Sequence, residues 1–335
     1  MLNFCTLFDI NFATQGVVMY ESLKEHCSNF HFYIFAFCDE SYSLLKKLNL
    51  EHVTVISLNE FEDEELLRVK PLRTKGEYCW TCSSSAVLYC LKQFNLPQCT
   101  YVDADLYFYS NPKVLLNEMG NKSVLITEHR YTPQYDQTAT SGKYCVQFIS
   151  FKNDARGLEV LNWWRNACLK WCYARYEDGK FGDQKYLDDW TERFKGIHVL
   201  EHLGGGVAPW NIHQYEIFKQ DKKLRLVERN TKKETDIVFY HFHDIKILDD
   251  GFIDFGRYIL YDIGEKNQKL IHNPYLNKLR QISEKLYKQD KKIILVKGIK
   301  IDYKKLINEI RKKIITIRFS TKKPELSMFG VKIIK

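Results

Sequence analysis

An α/β fold is predicted for this chain: an open, mainly parallel sheet with helices on both faces, followed by a basic helical tail. Two observations carry that expectation. Apolar strand-like runs alternate with segments of helical spacing through the first half, as successive βαβ units do. Charge then divides the chain: residues 265–335 hold 20 Lys plus Arg against 6 Asp plus Glu, a balance of +14, which leaves −6 for residues 1–264 out of a total of +8. The expected organisation is a body over 1–264, with halves at about 1–112 and 113–264, and a basic extension over 265–335.

The elements follow in order. Residues 2–8 read as a strand, 15–27 as a helix, and His31 to Phe37 as a second strand. Helical spacing returns over 40–48, and His52 to Leu58 form a third strand. After an acidic stretch at 60–66, a long helix is predicted from about Tyr78 to Phe94, with Val87, Leu88 and Leu91 on one face. The fourth strand, Cys99 to Asp103, lies between Pro97 and the turn signal Ser110-Asn111-Pro112. Further strands are expected at Ser123 to Thr127 and Tyr144 to Phe151, then an amphipathic helix over 154–173. Residues 222–229 and 236–242 suggest a hairpin around Asn230-Thr231-Lys232-Lys233.

Composition narrows the class. At 335 residues, 45% hydrophobic and 27% charged, the chain has ordinary globular composition and can bury a substantial core. Met1 to Asp9 lack a basic region followed by a long apolar one, and no stretch approaches the ~18 apolar residues of a spanning helix. A cytoplasmic location is therefore expected. The ten cysteines, with one lone C-x-x-C at Cys79 and Cys82, read as reduced structural thiols.

In a sheet of this kind ligands bind beyond the carboxyl ends of the strands, and Asp103-Ala104-Asp105 falls at that edge. Mg²⁺ and Mn²⁺ take oxygen ligands, commonly one or two carboxylates plus substrate phosphates. If the extended backbone persists through Ala104, alternation sends both carboxylates to one side, and the small residue leaves room for a nucleotide. Val238-Phe239-Tyr240-His241-Phe242-His243 is an apolar strand carrying two imidazoles on one face. It offers a third metal ligand, which would favour Mn²⁺ over Ca²⁺. Arg73 and Lys75, preceding the long helix, are candidates for binding phosphates. Glu128, His129 and Arg130 follow the strand 123–127 at the same sheet edge, as candidates for lining the acceptor side. Gly204-Gly205-Gly206 would allow close backbone approach, and Trp210 could stack on a sugar. The tail segments Lys291 to Leu295 and Arg311 to Ile315 mix basic and aliphatic residues, a pattern suited to anionic membrane surfaces. Its few aromatics argue against nucleic acid.

Together, Tyr101-Val102-Asp103-Ala104-Asp105, Asp9-Ile10-Asn11-Phe12, Asp183-Gln184 and His241-Phe242-His243-Asp244 with Lys246 resemble the retaining GT-A glycosyltransferases typified by bacterial lipopolysaccharide galactosyltransferases and glycogenin. The resemblance spans roughly residues 2–250 and implies a GT-A, Rossmann-like nucleotide-diphospho-sugar transferase fold with a mixed central sheet. It implies a donor-binding first half and a second half that completes the metal and acceptor sites. It assigns nucleoside contacts to Thr6, Asp9, Asn11 and Phe12, the last standing where the family has Tyr. Asp183 and Gln184 become the catalytic pair of the sugar pocket, followed by Lys185 where the family has an acid. Asp103, Asp105 and His241 become metal ligands with His243 as second choice, and Lys246 grips the diphosphate. The family's Asn-x-Gly pocket segment reads Tyr144-Cys145-Val146-Gln147-Phe148 here.

The implied activity is metal-dependent transfer, with Mn²⁺ or Mg²⁺, from a nucleotide sugar, UDP-sugar favoured, to a glycan or lipid-linked acceptor in surface polysaccharide synthesis. The tail would hold the enzyme at the inner face of the cytoplasmic membrane. Two alternatives stand beside it: a non-catalytic carbohydrate-binding relative, and an inverting transferase with Asp183 or Glu128 as base. Haloacid-dehalogenase phosphatases carry Asp-x-Asp after the first strand rather than the fourth. Sugar nucleotidyltransferases need an N-terminal Gly-rich and Arg loop that residues 5–20 lack.

Overall fold

The computed structural model describes residues 1–254 and 261–299, together with short backbone strands at Leu326–Met328 and Val331–Ile333. The expected α/β architecture is present. β1 (Leu2–Phe8), β2 (Phe30–Ala36), β3 (Val53–Ser57) and β4 (Gln98–Val102) lie within two residues of their sequence-derived limits. They are followed by β5 (Leu106–Phe108), β6 (Val124–Glu128), β7 (Tyr144–Lys152) and β8 (Ile197–Val199). The central sheet has seven strands in the order β3-β2-β1-β4-β7-β6-β8. β7 runs antiparallel to both β4 and β6, while the other neighbours are parallel, so the sheet is mixed.

Period-two alternation divides the side chains between two cores. On β1, Phe4 and Phe8 enter the core beneath the helix Ala13–His26, whereas Cys5 and Leu7 enter the core beneath Lys75–Gln93 and Ala155–Lys170. The helices have well-defined starts. Thr74 caps Lys75–Gln93 in a reciprocal capping box with Glu77, and Asp154 caps Ala155–Lys170 through the Gly157 amide. All ten cysteines are free thiols, and Cys5, Cys90 and Cys99 pack together in the second core.

Two sequence-derived expectations change. The hairpin forms differently: β9 (Tyr215–Gln220), β10 (Lys223–Glu228) and β11 (Glu234–Asp236) make a three-stranded antiparallel sheet, and β12 (Phe239–His241) leaves it to pair with β5. The reason is burial. Ile237 to Phe242 is an unbroken buried run, which the half-exposed hairpin cannot cover on both faces. The long helix also starts a turn early, because the Thr74–Glu77 box recruits Lys75 as its first residue.

From the basic extension, the helix Asn273–Gln289 lays Tyr275, Leu276, Leu279, Ile282 and Leu286 into the first core. Lys291 to Leu295 follows it, with Ile293 buried; Arg311 to Ile315 lies outside the described residues. Among the described residues no helix is long and apolar enough to cross a membrane.

Just before that helix, His272 is buried with Nε2 3.2 Å from the Tyr240 hydroxyl, and burial pushes its pKa down to about 3. The unfolded chain therefore takes up this proton below pH ~6.5 while the folded chain stays neutral, so stability falls as pH drops through that window. A His272→Phe variant is expected to escape about 2 kcal/mol of the stability that wild type loses between pH 7.5 and 5, at ~1.4 kcal/mol per unit. Urea unfolding of both proteins at the two pH values checks this. An identical loss in the two would refute it.

Candidate functional site

The site grows from the end of β4. There the Asp103 amide donates to the Gln147 carbonyl of β7 at 3.0 Å, the last bond of the central ladder on this side. The chain then turns: the Leu106 amide returns to the Asp103 carbonyl at 3.3 Å, and β5 begins. The extended backbone expected through Ala104 is thus replaced by a tight turn. Both carboxylates nevertheless converge, because β12 pairs antiparallel with β5 and sets His241 opposite Leu106, the Phe242 amide donating to the Asp105 carbonyl at 3.0 Å.

His241 Nε2 lies 3.1 Å from Asp105 Oδ1 and 3.8 Å from Asp103 Oδ2, and one ligand atom from each of the three residues falls within 4.8 Å of the others. The imidazole is 5% exposed, whereas the Asp103 and Asp105 side chains keep 29% and 16%, so the cluster is open to solvent on the carboxylate side. On the protected side, His241 Nδ1 is 2.7 Å from Gln147 Oε1, and the Trp210 ring stands edge-on to the imidazole. Two carboxylate oxygens and one imidazole nitrogen, with the second nitrogen already bonded, fit a hard divalent cation.

Burial pushes Asp103 up to about 6, with Asp105 adding to the rise and His241 opposing it. Burial also raises Asp105, but the neighbouring His241 and His243 outweigh it and hold this carboxyl below its usual range. Burial would lower His241; the Asp105 carboxylate reverses that and holds the imidazole well above its ordinary value. Asp183 is buried and pushed up to about 7, first by burial and then by the Asp103 charge, while the Ser83 hydroxyl pulls it down. Asp183 therefore belongs to the electrostatic neighbourhood of the aspartate pair. Its partner Gln184 spends its amide on the Ser141 carbonyl at 2.8 Å.

β1 and β4 are parallel neighbours, so Asp9 to Phe12 leave the sheet at the same edge as Asp103. Asp9 caps the short turn Ile10–Phe12, accepting from the Asn11 amide at 2.9 Å and from Asn11 Nδ2 at 3.1 Å. Thr6, two residues inside β1, is buried with its hydroxyl unpaired. Arg73 stacks on the Tyr173 ring at 3.9 Å, and Lys75 is an exposed residue of the helix's first turn. Lys246, on a short strand, pairs with Asp244 at 3.5 Å. His243 packs beside His241 with ring centres 5.6 Å apart.

The residues expected to line the acceptor side have other work. Glu128 pairs with Lys143 at 2.9 Å. His129 is buried and stacked on Tyr131, and burial lowers it to about 3, so it stays neutral. Arg130 is a clamp: its guanidinium donates to the carbonyls of Leu200 (2.6 Å), His202 (3.3 Å), Leu203 (3.4 Å) and Gly205 (3.1 Å). That segment enters the three glycines, whose smallness is a packing requirement. A Cβ on Gly204 would sit 2.0 Å from the Asp236 carbonyl oxygen, and one on Gly206, at φ +92°, would sit 3.0 Å from Gln147 Nε2. Just beyond, the Val207 carbonyl accepts the His241 amide at 2.9 Å, so the glycine segment sets the height of the imidazole. Trp210 is 4% exposed and bonded to the His129 carbonyl, which leaves it a packing residue rather than a sugar platform.

An Arg130→Met protein is expected to be less stable by about 2–4 kcal/mol, since four carbonyls lose a charged donor. Lys in its place should recover only part of this, because an ammonium lacks the planar fork. Urea midpoints of the two variants check the ranking.

The sequence placed Gln147 in the Tyr144 to Phe148 pocket segment but gave it no role beside His241, and Ser83 was missed. A signal existed for Gln147: it is the polar residue in the middle of an apolar strand, a position that demands a partner. Ser83 sits in an Ser83-Ser84-Ser85 run on a helix and carries no comparable mark.

No family model matches the chain. Two curated relatives come from Bacillus subtilis (strain 168), both described as uncharacterized. YfnD is 30% identical over 286 residues, covering 83% of this chain and 89% of the relative. YfnF is 28% identical over 253 residues, covering 73% and 82%. Among solved structures, the galactosyltransferase LgtC in complex with donor and acceptor sugar analogs aligns with a TM-score of 0.46 at 11% identity, over 72% of this chain and 86% of that one. The apo form of mouse xyloside xylosyltransferase 1 aligns with a TM-score of 0.41 at 13% identity, over 59% and 84%.

Proposed function

The chain belongs to the same family as YfnD of Bacillus subtilis, itself uncharacterized, and from the geometry of its aspartate–histidine cluster we propose that it is a metal-dependent GT-A glycosyltransferase. In this reading it moves a sugar from a nucleotide diphosphate donor, a UDP-sugar by preference, to a hydroxyl of a glycan or lipid-linked acceptor, with retention at the anomeric carbon. Its place would be surface polysaccharide synthesis at the inner face of the cytoplasmic membrane, with the basic tail against anionic lipid. The observation that carries the reading is the convergence of Asp103, Asp105 and His241 at the edge where β1 and β4 end.

The roles divide by position. Asp103, Asp105 and His241 would hold Mn²⁺ or Mg²⁺, which when bound supplies the positive charge that stabilises the departing diphosphate. Asp9, Asn11 and Phe12, with Thr6 behind them, would receive the nucleoside along the neighbouring strand end. Ala104 leaves space between the carboxylates, and Arg73, Lys75 and Lys246 are the cations offered to the phosphates. Asp183, whose carboxyl burial pushes up to about 7, would bind and orient the transferred sugar with Gln184 beside it. Glu128 is a poor choice of base, since Lys143 already pairs with it.

Cation-dependent hydrolysis of a panel of nucleotide sugars, followed by acceptor screening with the preferred donor, tests this function. Turnover that requires Mn²⁺ or Mg²⁺ is the expected result. Saturable sugar binding without turnover of any donor would point instead to a carbohydrate-binding relative, and the product's anomeric configuration separates retention from inversion.

A further inference from the structure

Gln147 is wholly buried in the middle of β7, between Val146 and Phe148. It touches both halves of the aspartate–histidine cluster. Its carbonyl oxygen accepts the Asp103 amide at 3.0 Å, and its side-chain Oε1 lies 2.7 Å from His241 Nδ1. Its Nε2 is buried without a partner and lies over Gly206, where a Cβ would approach to 3.0 Å. Leaving half of a primary amide unbonded in a core is costly. The bond that the other half makes to His241 is what this arrangement preserves.

We propose that Gln147 is the positioning residue of the metal site. This rests on the reading that Asp103, Asp105 and His241 hold a divalent cation. An imidazole that gives Nε2 to a cation must carry its hydrogen on Nδ1, and the Gln147 oxygen accepts that hydrogen. The amide thus selects the one tautomer whose lone pair faces the carboxylates and fixes the ring plane as well. Because the amide is neutral, it orients the imidazole without adding a third negative charge to the cluster. The cation therefore sees two anionic ligands, which suits an ion that must be shared with a diphosphate and released with it. Gly206 is part of the device, since a side chain there would crowd the Gln147 amide and strain a backbone held at φ +92°.

The test is direct Mn²⁺ titration by electron paramagnetic resonance on wild type, Gln147→Leu and Gln147→Glu, with thermal unfolding of each. Loss of an outer-shell partner typically weakens metal binding about 10–100-fold, and that is the expectation for Gln147→Leu. Gln147→Glu, which still accepts from Nδ1–H and raises the basicity of the ligand, should bind at least as tightly as wild type. A merely structural residue would shift both variants alike, in proportion to their loss of melting temperature. Equal affinities in all three proteins, or parallel weakening in both variants, overturns the positioning role while leaving the transferase reading intact. Absence of saturable Mn²⁺ binding in wild type overturns both. Should Gln147→Leu fail to fold, Gln147→Met replaces it, with the same expected weakening.

Discussion

Replacing Asp105 with Asn is expected to abolish cation-dependent donor binding, a loss on the order of a hundredfold or more, because a hard cation is left with one anionic ligand of the two it needs. Asp105 is the carboxylate closest to His241, at 3.1 Å against 3.8 Å for Asp103, so it is the one best placed to share a cation with the imidazole. The fold should survive. The side chain ends a turn, keeps part of its surface in solvent, and its main-chain bond to Phe242 does not depend on the carboxylate. Calorimetric titration of the UDP-sugar with and without Mn²⁺, alongside a melting curve, reads both quantities. Donor affinity equal to wild type in the presence of Mn²⁺ would remove the metal assignment.

Asp183→Asn is expected to separate chemistry from binding. The carboxyl is buried beside Asp103 and raised to about 7, mainly by desolvation, whereas no cation is required to hold it in place. An amide of the same shape should therefore keep donor affinity within a few-fold, yet lower kcat by about 10²-fold, the order of the cost of misorienting a reacting group. Trp164 bonds to the Asp183 main-chain carbonyl at 2.9 Å and keeps the backbone in register in the variant. Steady-state kinetics with saturating donor, set against the donor dissociation constant, decides the matter. A rise in KM at unchanged kcat would make Asp183 a binding group only.

Much of the fold was legible, and the physical reason is local. β1 to β4 and their helices show buried runs with helical spacing between them, and capping pairs such as Thr74–Glu77 mark where a helix begins. The residues of the aspartate–histidine cluster were legible for a different reason. Two acids between apolar stretches, and an imidazole inside the apolar run 238–243, are expensive unless they have partners, so their presence announces a site. Arg130 could not be read in this way. Basic residues at strand ends are ordinary on surfaces, and only the curl of residues 200–205 around the guanidinium turns this one into a clamp.

What the sequence determined by itself was the chemistry available: Asp103 and Asp105 at a strand end, histidines in an apolar strand, Asp183 on a later loop. What tertiary structure decided was who meets whom. β12 left the expected hairpin because its continuous apolar run needed burial on both faces, and pairing with β5 satisfied it. That pairing, made between segments over 130 residues apart, carries His241 to the aspartates and places Gln147 behind it. Local pattern sets the period and the burial of a strand. Its partner is chosen by the free energy of the whole core, which no single segment contains.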